Sequence, residues 1–138
     1  MTEEETKEKA VLYKHSGYNC AQAVVKALGE EHGFEIDDAV TMTSGFAGGM
    51  GTMEATCGAL IGANVMAGLK TGGTGTLSVA RKLVSGFKER CGALLCRDLK
   101  GVETGSVLCG CDDCIRNAIA VFEEQFSQKE AAEPAPLK

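Results

Sequence analysis

The chain has 138 residues, 44% hydrophobic and 24% charged, with a formal net charge of -5, the balance of one globular domain able to bury its own core. It carries no basic stripe, no Trp and only two Tyr, so the composition speaks against nucleic-acid binding. The acidic start Met-Thr-Glu-Glu-Glu lacks the cationic and then apolar run of a secretory signal, and the expected compartment is the reducing cytoplasm.

A first helix is expected over Glu4 to His15, broken by Ser16-Gly17-Tyr18-Asn19. Asn19 is a good N-cap for a second helix from Cys20 to His32, stopped by Gly33. Cys20, Ala23, Val24, Ala27 and Leu28 recur at three- and four-residue spacing and define its buried face. Cys20 falls in the first turn, where a helix N-terminus favours a thiolate. His15 and His32 lie near helix ends, where a surface cation suits the dipole.

Asp37 or Asp38 caps a third helix reaching Phe46, and the glycine run 45–51 follows. That run has neither a preceding strand nor a Gly-Lys-Ser/Thr ending, so it reads as a tight interhelical connection and not a nucleotide loop. Thr52 is the expected cap of a fourth helix running to Lys70, with Glu54 in its first turn. Its interior small residues, Gly58, Ala59, Gly62, Ala63 and Gly68, cost helix propensity and therefore imply a close neighbour, placing this helix at the centre. The same small faces permit a homodimer. The low-charge stretch 39–69 is interrupted by these glycines, by Glu54 and by Asn64, so it reads as core and the chain as not membrane-embedded.

A fifth helix is expected over Leu77 to Arg90, and a last one over Cys114 to Phe126. Between them lies an irregular Cys-rich segment with one turn at Arg97 to Lys100. The fold class is all-α: a single-domain bundle of five to six helices over residues 1–127, followed by a disordered tail over 128–138.

Seven cysteines are many for this length: Cys20, Cys57, Cys91, Cys96, Cys109, Cys111 and Cys114. In a reducing compartment clustered thiols point to metal binding or redox work. Cys109-Gly-Cys111-Asp-Asp-Cys114 puts three thiols within reach of a shared metal or a disulfide. Neither histidine has a metal-ligand spacing with a cysteine, so any metal site is all-thiolate, which suits zinc or iron–sulfur.

The chain resembles the C_GCAxxG_C_C family of small redox-active proteins. The resemblance rests on Asn19-Cys-Ala-Gln-Ala23, Ser44-Gly-Phe-Ala-Gly-Gly-Met-Gly51, Cys57-Gly-Ala-Leu-Ile-Gly62, Leu95-Cys-Arg-Asp-Leu99 and Cys111-Asp-Asp-Cys-Ile-Arg-Asn-Ala118. It implies that Cys20, Cys57, Cys96 and Cys111 are the family's four cysteines, here the candidate catalytic, cofactor-binding and metal-ligating residues alike. Cys91, Cys109 and Cys114 are then additions, and Cys114 stands where the family tends to carry a bulky residue. A similar cysteine set in a domain of split-Soret cytochromes is associated with an iron–sulfur cluster; this chain has no Cys-x-x-Cys-His for haem attachment.

Three readings follow. The leading one is an electron-transfer protein, a possible oxidoreductase, with an iron–sulfur cluster on the four thiols and a redox partner protein that the sequence does not identify. The second is a metal-free thiol–disulfide oxidoreductase or redox sensor. The third is a structural zinc site tying the 91–114 segment to the bundle.

Overall fold

The structure is a computed structural model that describes residues 2–132, with side chains described through Phe126. Among the described residues it is all-helical: α1 (Glu3–His15), α2 (Cys20–His32), α3 (Asp37–Met42), α4 (Gly58–Thr71), α5 (Thr76–Cys91), α6 (Cys96–Lys100) and α7 (Cys111–Ala132). The short α6, expected only as a single turn, brings the number to seven among the described residues, above the five or six expected. Among the described residues, no helix is long and apolar enough to cross a membrane.

Local chemistry explains where the first helices begin. Thr2 Oγ1 accepts from the Glu5 N–H while Glu5 Oε1 accepts from the Thr2 N–H, a reciprocal cap that satisfies donors at the start of α1. Asn19 and Gln22 repeat the arrangement at α2, as the sequence leads one to expect of Asn19. Both side chains also reach outward: Asn19 Nδ2 donates to the Ser44 carbonyl at 2.9 Å and Gln22 Nε2 to the Val40 carbonyl at 3.1 Å. The turn that carries Cys20 is thereby latched to α3 and to the segment after it.

α4 lies at the centre, packed on α2, α5 and α7, and its contact with α2 is the most extensive in the fold. The small residues permit this. A Cβ on Gly62 would stand 2.7 Å from the Ala21 carbonyl oxygen, and one on Gly58 would stand 2.3 Å from that of Phe46. These two glycines are therefore used inside the bundle. Leu28, Leu60, Met66, Leu83, Phe87, Ile115, Ile119 and Phe122 fill the rest of the core.

Four expectations are corrected. Asp37 and Asp38 do not cap the third helix but lie in its first turn, and it ends at Met42, the chain tightening into a 3-10 turn over Thr43–Gly45 before Phe46. Thr52 does not cap the fourth helix, which starts only at Gly58 after Cys57. Gly48, Gly49, Met50 and Gly51 all have positive φ, as does Met53, and a chain in left-handed conformation cannot open a right-handed helix. His32 is not a surface cation: its side chain and that of Glu123 are each 6% exposed, 3.0 Å apart, with the ring edge-on to Phe122. His15 is exposed and bonds Asp112 at 2.9 Å, tying the end of α1 to the start of α7. Finally, α7 runs to Ala132, past the expected end at Phe126, and the remainder of the expected tail, 133–138, lies outside the described residues.

Candidate functional site

Five cysteines line one cavity of about 140 Å³: Cys20, Cys57, Cys96, Cys111 and Cys114, with Met53, Lys100 and the backbones of Gly48 and Gly58. The four cysteines singled out by resemblance thus meet, although each comes from a different segment. Cys20 is the first residue of α2, Cys57 precedes α4, Cys96 opens α6 and Cys111 opens α7. Cys57 and Cys96 are buried, Cys20 is partly buried and Cys111 is exposed.

A single antiparallel bridge, Thr56 to Leu95, aligns two of these segments. The Cys57 N–H donates to the Leu94 carbonyl at 2.9 Å and the Cys96 N–H to the Ala55 carbonyl at 3.0 Å. This zips the Cys57 and Cys96 stretches side by side. The glycine run closes over Cys96, where a Cβ on Gly49 would lie 3.0 Å from Cys96 Cβ, and at the start of α4 a Cβ on Gly58 would lie 2.8 Å from Cys20 Sγ. The run is a close backbone approach to the Cys96 segment.

Burial is the main cause that raises the Cys20 thiol pKa, and neighbouring Cys57 adds to it. The Gly48 N–H bonded to the sulfur pulls the other way without winning. The thiolate expected from the helix N-terminus is therefore overridden by desolvation. Cys96 is likewise pushed up by burial, against the downward pull of the Lys100 ammonium. The neighbouring Cys114 thiol, and then burial, hold the Cys57 proton far above the ordinary thiol range. In Cys114 the bond from Cys57 favours the thiolate, but a bond with Cys91 and burial outweigh it, so this thiol is also raised. Burial alone would lower Lys100, yet the surrounding sulfurs, Cys114 foremost, raise it, so its charge is retained beside them.

A family-level comparison matches residues 18–125 to the family described as "Putative redox-active protein (C_GCAxxG_C_C)". The chain belongs to this C_GCAxxG_C_C family. No curated protein and no solved structure matches it. All seven of its cysteines are free thiols. Beyond the C_GCAxxG_C_C set, Cys91, Cys109 and Cys114 form a buried trio with sulfurs within 4.8 Å of one another, a group able to hold a metal.

Sequence reasoning missed Lys100, which lies four residues after Cys96 and so on the same helix face, a spacing that could have flagged it. It also missed Gly48, whose approach to Cys20 no local pattern announces. For an all-thiolate cofactor the residues present fit on chemical grounds: soft sulfur donors, little polar lining, an N–H on one sulfur and a cation at the wall.

Proposed function

We propose that the chain is an electron-transfer protein in which Cys20, Cys57, Cys96 and Cys111 together hold an iron–sulfur cluster. The observation that carries this reading is the convergence of those four cysteines, from four separate segments, on one cavity. At about 140 Å³ the cavity is several times the ~30 Å³ share of one water, so it has room for a multi-atom guest. When bound, the cluster would supply reversible one-electron chemistry. The protein would supply the rest. Its thiols ligate, the Gly48 N–H and the Lys100 ammonium offset negative charge on sulfur, and the packed helices keep water away. Cys111, the exposed member, marks the side from which a partner protein would exchange electrons. This chemistry suits a reducing compartment such as the cytoplasm.

The test is anaerobic purification followed by iron and acid-labile sulfide assay. The reading expects both elements, with visible absorption that falls in C20S and C96S. A colourless wild-type protein containing neither would sink it.

The adjacency of Cys57 and Cys114 in the wall of one cavity favours a second reading, in which these two thiols cycle with a disulfide. Oxidation would remove two electrons and two protons to an external disulfide, which would be reduced to two thiols. Titration before and after mild oxidation should then lose two thiols, restored by dithiothreitol. An unchanged count would exclude it.

A further inference from the structure

Cys91, Cys109 and Cys114 are held by three pieces of backbone: the last residue of α5, the loop before α7 and the first turn of α7. All three are buried. Asn117 Nδ2 lies 3.3 Å from Cys91 Sγ and 3.8 Å from Cys109 Sγ, and Lys100 Nζ lies 3.5 Å from Cys114 Sγ. Each sulfur therefore faces an N–H donor. Cys114 Sγ also lies 3.5 Å from the Cys109 carbonyl oxygen. Donors on every sulfur are what metal-bound thiolates call for, because they offset sulfur charge in a dry site.

We propose that Cys91, Cys109 and Cys114 form a second site, which binds one soft d10 cation, Cu(I), through three sulfurs. A metal–sulfur bond of ~2.3 Å puts the sulfurs of a three-coordinate ion ~4 Å apart. That spacing falls within the 4.8 Å the trio spans. Zinc asks for four donors, whereas three thiolates complete a trigonal Cu(I) centre. Binding releases the thiol protons to solvent, and copper stays Cu(I) throughout. Because Cys114 also lines the cavity, the ion would sit one sulfur away from the four-cysteine set.

The reduced full chain is titrated anaerobically with Cu(I) against a chromophoric Cu(I) chelator, alongside C91A/C109A and C20A/C96A. C91A/C109A should lose one tight equivalent that C20A/C96A keeps. Unchanged capacity in C91A/C109A, or loss of the same equivalent in both variants, overturns the proposal. Should C91A/C109A fail to fold, copper-edge X-ray absorption of C20A/C96A with one equivalent decides. Three sulfur neighbours support the site, and two or four overturn it. Iron and sulfide, assayed on the same wild-type protein, report separately on the four-cysteine reading.

Discussion

Lys100 Nζ lies 3.5 Å from Cys114 Sγ, in the wall that the cavity shares with the buried cysteine trio. The same ammonium also donates to the Cys109 carbonyl at 3.3 Å and lowers the pKa of Cys96 from a distance. One cation thus serves two groups of sulfurs.

Replacing it with an apolar side chain of similar length should make those sulfurs harder to ionise. K100M is expected to move the pH midpoint of Cys96 alkylation upward, because the ammonium's downward pull is removed while the burial that raises this thiol remains. Mass-spectrometric quantification of Cys96 labelling across a pH series reads this directly. A midpoint unmoved or lowered would show that Lys100 does not act on Cys96.

Gly58→Ala should destabilise the fold. The new methyl would meet the Phe46 carbonyl oxygen at 2.3 Å, Ala47 Cα at 2.9 Å and Cys20 Sγ at 2.8 Å, mostly backbone that cannot step aside. Overpacking of this kind costs ~1–3 kcal/mol. The urea midpoint of G58A should fall accordingly, whereas Gly68→Ala on the same helix, with open space around it, should not lower it.

His32→Ala should cost ~2 kcal/mol, the range for losing a buried hydrogen bond to a charged group, with the edge-on contact to Phe122 lost as well. His15→Ala, which breaks an exposed pair with Asp112, should change the denaturation midpoint much less, as surface pairs do.

Glu30 predicts an acid dependence. Burial would raise its pKa, but the bonds from Lys9, Tyr13 and Lys26 outweigh it and bring the carboxyl from 4.5 to about 2. A depressed folded-state pKa means stability that is fully present above pH ~4.5 and is lost as the pH falls toward ~2. Thermal melts across that window should show a smaller acid loss in E30Q than in wild type. Equal losses would mean that the tie among α1 and α2 does not hold Glu30 ionised.

Much of the helical layout was legible because it is local. The Asn19 cap, the Gly33 stop and the three- and four-residue repeats act within one turn or one helix. The start of α4 was not legible, because Thr52 and Glu54 look like a cap until the left-handed stretch from Gly48 to Gly51 is seen. Nor was the burial of His32, which depends on α7 arriving with Glu123 opposite it.

The sequence by itself determined that this is a helical, thiol-rich member of the C_GCAxxG_C_C family, since both the periodicity and the motif order run along the chain. Only the tertiary structure decided which sulfurs meet. It brought Cys20, Cys57, Cys96 and Cys111 to one cavity, aligning the Cys57 and Cys96 stretches by a bridge between distant segments, and drew Cys91, Cys109 and Cys114 into a second group. The physical reason is that thiol chemistry depends on distance and desolvation. Both are set by packing between elements, and at Cys20 burial overrides what the helix N-terminus alone would favour.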